Sequence, residues 1–236
     1  MPRTSAGLGE ALVVKAPAKK PGPPKSGLTI VDVPQGSEDW FKARLGLVTA
    51  SHFSTILASG RDGETSLTRT QYLNRLAGEI ITGEPTEETF QSKAMERGKS
   101  MEAAACADYE ERKGVSLKRV GLGINFSGLK RCGASPDALV GFDGGLETKT
   151  MRPDLMIPLL LKGSTMLPEH RAQVQGNIWV FERDWWDLKI YWPKMPDFTV
   201  RVTRDEGYIR ELSNEVEKFN HELKRLVEQL RRMGAA

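Results

Sequence analysis

The chain has 236 residues, 39% hydrophobic and 28% charged, with a formal net charge of +3. That composition excludes a wholly disordered polymer and suits a soluble globular domain with a buried core. No apolar run approaches the roughly 18 residues of a membrane helix, since the longest, Met156–Leu161, is short and broken by Pro158. No membrane association is expected.

The N-terminus lacks an apolar stretch followed by a small-residue cleavage site, so secretion is not expected. Cys106 and Cys132 form neither a disulfide framework nor a C-x-x-C pair, and His52, His170 and His221 lie far apart. A reducing cytoplasm fits this usage. Residues 1–27 hold five prolines, with Arg3, Lys15, Lys19, Lys20 and Lys25 against Glu10 alone. They read as a flexible basic arm, suited at most to nonspecific phosphate contact. The arm carries +4 and leaves the rest about −1, so the body is no general polyanion glove and any such site is local.

From Leu28 the pattern becomes globular, and 28–236 is expected to be a single domain. Ser37–Arg44 and Ser51–Leu57 read as short helices, with Ser51 as an N-cap. Thr70–Ile81 has helical spacing and stops at Gly83; a longer helix is expected over 88–113. Ser116–Phe126, Cys132–Val140 and Leu146–Thr150 read as strands, the last two joined by a turn at 142–145. Glu169–Phe181 returns to helix. Leu188, Ile190 and Trp192 alternate in one strand, and Phe198, Val200 and Val202 in the next. Apolar residues from Ile209 to Met233 step by three and four down one long amphipathic helix, a seam that suits internal packing or a subunit contact. The fold class is α/β (α+β), a mixed sheet flanked by helices.

The chemistry concentrates in Cys132-Gly-Ala-Ser-Pro-Asp-Ala-Leu-Val140 and Leu146-Glu-Thr-Lys-Thr150. Alternation along a strand puts Glu147 and Lys149 on one face with Thr148 turned away, and the Gly-rich turn brings Asp137 beside them at the sheet edge. Magnesium takes oxygen ligands and is often held by one or two carboxylates. Asp137, Glu147 and the Thr148 carbonyl supply such a set, while Lys149 can orient or deprotonate a water. That is a layout for cutting phosphodiesters. Asp143 is a rival acid, but its Asp-Gly-Gly context is explained by turn formation. Taken alone, an Asp followed by Glu-x-Lys also fits an ordinary exposed strand.

Further matches occur in order: Trp40-Phe-Lys-Ala-Arg-Leu-Gly46, Val48-Thr-Ala-Ser51, Arg97-Gly98 with Glu102, Gly133-Ala-Ser-Pro-Asp137, Glu147-Thr-Lys149 and Ala172-Gln-Val-Gln175. With these the chain resembles the phage lambda exonuclease family, YqaJ-type viral recombinases of the PD-(D/E)xK superfamily, from about Gly36 to the C-terminal helix. The resemblance implies a magnesium-dependent exonuclease that degrades one strand of duplex DNA 5′→3′ from its ends. Manganese is a possible substitute, with two ions per site. It further implies a ring-shaped homotrimer, a single-strand annealing partner, and a phage or prophage origin acting in the bacterial cytoplasm. By motif, Asp137, Glu147, Lys149, Glu102 and Gln173 would be catalytic, with Asp137, Glu147, Glu102 and the Thr148 carbonyl on metal. Arg44, Ser51 and Ser135 would seat the terminal 5′-phosphate.

Three points stay open in the sequence. His170, Gln173 and Asn177 form a polar stripe that suits either solvent or a site, and His170 has no assigned role. Arg152 does not clearly occupy the place of the family's phosphate-binding arginine after the lysine. A restriction- or repair-type endonuclease and a catalytically silent DNA-end scaffold remain the alternatives.

Overall fold

The structure, a computed structural model, describes residues 27–59, 66–86, 93–163 and 166–234, without the side chains of 93–97 and 99. Apart from Gly27, the expected arm lies outside the described residues, as does the start of the helix expected over 88–113.

Among the described residues eight strands make two sheets. The first is antiparallel, in the order β1 (Leu28–Val31), β3 (Leu122–Asn125), β4 (Cys132–Ala134). The second runs β2 (Leu117–Lys118), β5 (Ala138–Val140), β6 (Gly144–Thr150), β7 (Trp185–Tyr191), β8 (Phe198–Thr203). Only β6 and β7 are parallel neighbours there, and α5 (Pro153–Lys162) and α6 (Pro168–Val180) form the crossover between them that parallel pairing requires.

The strands expected over 116–126 and 132–140 are each corrected to two short strands in different sheets. The first break falls at Gly121, where a Cβ would stand 2.0 Å from the Val33 carbonyl oxygen, so crossing backbone occupies the side-chain space. The second falls at Pro136, which has no N–H to give a ladder. β6 begins earlier than expected. Gly144 and Gly145 belong to it because the Trp185 and Trp186 rings on β7 fill the space where their Cβ atoms would lie, at 2.1 and 2.3 Å. Trp192 falls just outside β7.

Among the helices, α1 (Glu38–Arg44) is capped by Ser37, whose hydroxyl accepts from the Trp40 N–H at 3.2 Å. The helix expected from Ser51 is corrected: Ala50–His52 is a 3-10 turn ahead of α2 (Phe53–Leu57), and Ser51 lies within that turn instead of capping it. The reason is the His52 N–H, which donates to the Thr49 carbonyl at 2.9 Å and tightens the chain there. α3 (Leu67–Thr82) ends on Gly83 at φ 69°, and α4 spans Lys93–Lys113.

α5 was not expected. It starts on Pro153, tolerates Pro158, and leaves Leu155, Ile157 and Leu161 exposed, so it shows no polar face to betray its period. α7 (Glu206–Arg232) is capped by Asp205 and buries Ile209, Leu212, Val216, Phe219, Leu223 and Val227 against α2, α3 and α6 of its own chain. The seam stops short of Met233, which is exposed. α6 is the pivot: buried from Val174 through Val180, it touches β3 and β4 of one sheet, β6 and β7 of the other, and α2 and α7. It thereby carries a helix face onto the middle strand of the larger sheet.

A carboxylate cluster on the central strand

β5 and β6 pair from Val140↔Gly144 to Ala138↔Leu146. One step further in that register, Asp137 stands across from Glu147. Pro136 has ended the ladder, and the Thr148 N–H that would have continued it donates to Asp137 Oδ2 at 2.6 Å; the Thr148 hydroxyl donates to the same oxygen at 2.7 Å. The expected meeting of Asp137 and Glu147 therefore occurs where β5 and β6 part, on the middle strand and not on an edge strand.

Glu147 is 3% exposed. Its Oε1 accepts from Lys149 Nζ and Gln173 Nε2, both at 2.7 Å, and its Oε2 from Asn177 Nδ2 at 3.1 Å. Gln173 and Asn177 of the polar stripe on α6 thus face this carboxylate, not solvent. Glu102 arrives from α4, and its Oε1 accepts from Arg119 Nη1 at 3.1 Å. The same nitrogen donates to the Asp137 carbonyl at 2.6 Å. A cleft of about 450 Å³, lined by Gln35, Glu102, Arg119 and Asp137 among others, opens beside them.

The electrostatics report crowded negative charge. Burial, then the neighbouring Asp137 carboxylate, push Glu147 up to about 7. Burial and Asp137 likewise raise Glu102, with Arg119 opposing. Burial raises Asp137 itself, against the pull of the Thr148 hydrogen bonds. Burial alone would lower Lys149, but the charge and hydrogen bond of Glu147, with Asp137 and Glu102 behind it, hold its ammonium above the ordinary value. His170 is pushed down by burial first and then by the charge of Lys149.

Negative charge converges on the cleft. Among the described residues, Asp137 Oδ1 and Glu102 Oε2 carry no hydrogen bond, and both residues face the cleft. No three described His, Cys, Asp or Glu side chains enclose an ion by themselves, but magnesium needs only one or two carboxylates and keeps several waters. The donor set fits such an ion.

The expected phosphate-seating residues form a second cluster. Trp40 Nε1 donates to Ser135 Oγ at 3.0 Å, and the Arg44 guanidinium lies 4.1 Å from the Trp40 ring. Arg44 Nη2 donates to Thr49 Oγ1 at 3.3 Å, which lies 3.3 Å from Ser51 Oγ. Thr49 bridges Gly133 on β4, and Ser135 is two residues before Asp137, so the donors adjoin the carboxylates. Arg152 is not among them: it is bound to Asp154 by two hydrogen bonds, of 3.0 and 2.6 Å, at the start of α5.

All five expected catalytic residues are brought together. Sequence reasoning missed Arg119, which lies in no motif. It quoted Asn177 and Trp40 only as part of a stripe and a motif; the helical step of four from Gln173 was the available signal for Asn177.

The chain is similar to an alkaline exonuclease from Laribacter hongkongensis, at 32% identity and a TM-score of 0.73, covering 84% of this chain and 98% of that one. A structure of that enzyme with dAMP matches equally well. A phage-related exonuclease from Haemophilus somnus 129PT shares the fold, with a TM-score of 0.60 at 15% identity over 78% of this chain and 96% of that one. No curated protein sequence matches significantly. The mixed α/β arrangement is therefore that of PD-(D/E)xK-like nucleases. Residues 39–184 match the profile of the YqaJ-like viral recombinase domain, and with 32% identity to the Laribacter enzyme across most of both chains, this chain belongs to that family.

Proposed function

We propose that the chain is a magnesium-dependent exonuclease that removes one strand of linear double-stranded DNA 5′→3′ and leaves 3′ single-stranded overhangs for phage-type recombination. The single observation that carries this reading is Glu147, buried on the middle strand with both oxygens clamped by Lys149, Gln173 and Asn177, and with Asp137 across from it. Kinship with an alkaline exonuclease supports the nuclease activity.

Asp137, Glu147, Glu102 and the Thr148 carbonyl would hold the ion. When bound, a divalent ion supplies charge stabilisation for the phosphate and lowers the pKa of an attached water. Gln173 and Asn177 fix the orientation of Glu147, and Thr148 fixes that of Asp137, so neither carboxylate must reorganise during reaction. Lys149 holds its proton and offers an ammonium to the negative charge that develops on the phosphate. Arg44, Ser51 and Ser135 seat the terminal 5′-phosphate, which carries more charge than an internal one.

The reading includes a homotrimeric ring, a single-strand annealing partner and the cytoplasm of a bacterial host. The exposed Ile157 and Leu161, four residues apart on α5, supply an apolar strip suited to a subunit contact, and a clean monomer in light scattering at working concentration would count against the ring.

The deciding experiment uses linear duplex labelled separately at each strand end, a closed circle, magnesium, and wild type beside Glu147→Ala. Loss of label from 5′ ends alone, absent in the variant and on circles, is expected. Cut circles would point to an endonuclease, and intact DNA with every metal to an end-binding scaffold.

A further inference from the structure

Ser51 is exposed, and a line of side chains runs back from its hydroxyl into α3. His52 Nδ1 lies 3.2 Å from Ser51 Oγ and 3.3 Å from Thr49 Oγ1. The imidazole stacks on the Tyr72 ring, 4.4 Å between centroids and 14° from parallel. The Tyr72 hydroxyl in turn accepts from the Thr49 N–H at 3.1 Å. One helical turn beyond Tyr72, Arg75 sits over the same ring at 5.0 Å, and its Nη2 lies 3.0 Å from His52 Nε2. Arg44 and Arg75 line one cleft with Thr49 and Tyr72.

The chemistry of these contacts has a direction. A guanidinium has only donors, so His52 Nε2 must accept from Arg75. The ring proton then sits on Nδ1, which donates to the nearer hydroxyl oxygen, Ser51 Oγ. Thr49 Oγ1, 3.3 Å from Ser51 Oγ, already accepts from Arg44 Nη2 and has its own proton to give to Ser51, so with its oxygen engaged as acceptor the exposed Ser51 is left to turn its proton outward. The result is an ordered series of donors, Arg75 to His52 to Ser51, ending in an exposed O–H.

We propose that Arg75 and His52 are positioning residues for recognition of the DNA 5′ end: they fix the Ser51 hydroxyl as a donor and so set the preference for a 5′-phosphate over a 5′-hydroxyl. This rests on the assignment of Arg44, Ser51 and Ser135 to the terminal phosphate under the proposed function. Neither Arg75 nor His52 belongs to the sequence motifs. Their placement also accounts for a second guanidinium at this end of the molecule, while Arg152 is engaged with Asp154.

The test separates end recognition from cleavage. Equilibrium binding of short duplexes with 5′-phosphate or 5′-hydroxyl ends is measured by fluorescence anisotropy in chelator, for wild type, Arg75→Ala, His52→Phe and His52→Asn. The ratio of the two affinities is the readout. Wild type should prefer the phosphate. Arg75→Ala and His52→Phe should lower the ratio about tenfold, the scale of one hydrogen bond to a charged group. His52→Asn, whose amide keeps a donor near the position of Nδ1, should retain most of it. A ratio unchanged in Arg75→Ala and His52→Phe, a loss shared equally by both ends, or no preference in wild type would overturn the proposal. Since no cleavage is needed, failure of the nuclease reading would appear separately, as binding preference without strand loss when magnesium is added.

Discussion

Thr148 gives Asp137 two hydrogen bonds to one oxygen, from its backbone N–H at 2.6 Å and its hydroxyl at 2.7 Å. The carboxylate takes the place of the next ladder acceptor after Pro136 stops the β5–β6 pairing, so the end of a strand pair becomes the mount of the carboxylate proposed to hold the ion. The other Asp137 oxygen is left toward the cleft. Removing the hydroxyl alone tests this. Thr148→Val should lower thermal stability by about 3–12 °C, from roughly 1.5–3 kcal/mol of lost hydrogen bonding to a charged group. It should also raise the magnesium concentration that half-saturates nuclease activity, whereas Thr148→Ser should stay near wild type. Equal magnesium requirements in the Val and Ser variants would show that the hydroxyl does not orient Asp137.

Burial and Asp137 raise Glu147 from 4.5 to about 7, which fixes the sign of a pH effect. A carboxyl with a raised pKa favours the fold fully below its ordinary value near 4.5, and that contribution is lost as pH rises through about 7. The metal-free protein should therefore melt lower at pH 8 than at pH 6, and magnesium should raise the melting temperature more at pH 8. Glu147→Gln removes the ionisation while keeping the shape, so in chelator it should melt several degrees above wild type at pH 8 and show little of the slope. Calorimetry in chelator and in magnesium reads both. A metal-free melting temperature that climbs from pH 6 to 8 and is unaffected by the substitution would contradict the assignment.

Asn177 is 1% exposed and spends its amide on Glu147 Oε2. Asn177→Leu should reduce strand degradation about tenfold, because a buried carboxylate loses a fixed donor. Asn177→Asp sets a like charge against Glu147 and should be the less stable of the two in chelator. Magnesium should narrow that gap, since a cation offsets the added charge. If the Asp variant remains as far below the Leu variant with magnesium as without it, no ion is held next to Glu147.

The legible part of the site was what lies close in sequence or repeats along an element. Glu147 and Lys149 follow from strand alternation and Asp137 from the turn that returns its strand; the helical step puts Gln173 and Asn177 on one stripe, but only the family resemblance pointed Gln173 at the site. The long helices were readable for the same reason, as in the α7 seam. What was hidden depends on distant backbone. That 116–126 and 132–140 each divide between two sheets is decided by Val33 pressing on Gly121 and by Pro136 refusing a ladder bond, and neither shows in alternation. Arg119 reaches Glu102 and the Asp137 carbonyl only because of that division. Ser51 was read as a cap because local sequence allows it, while its actual partners, His52 and Thr49, are set by a 3-10 turn. α5 lacks a polar face and so has no periodic signature.

Lys189 offers a check on the fold that is independent of the site. It lies on β7 opposite Thr148, is 1% exposed, and pairs with Asp108 Oδ2 of α4 at 2.8 Å and with Asp197 at the head of β8. Partial burial pushes Asp108 up, but Lys189 and Arg112 outweigh it and hold the carboxyl below its usual range. One buried ammonium thus ties α4, which carries Glu102, to the sheet that carries Glu147. Lys189→Ala removes the charge and the volume together and should destabilise by about 3–5 kcal/mol, the scale for breaking a buried pair on one side. Lys189→Met keeps the stem and should be milder, and adding Asp108→Asn and Asp197→Asn to it should recover stability, because neither carboxylate then faces the lost ammonium, while the Asp108–Arg112 contact given up is a half-exposed pair of small worth. Denaturant melts of the single and triple variants decide the matter. A triple variant no more stable than Lys189→Met would mean that packing of the stem, and not charge pairing, is what Lys189 contributes.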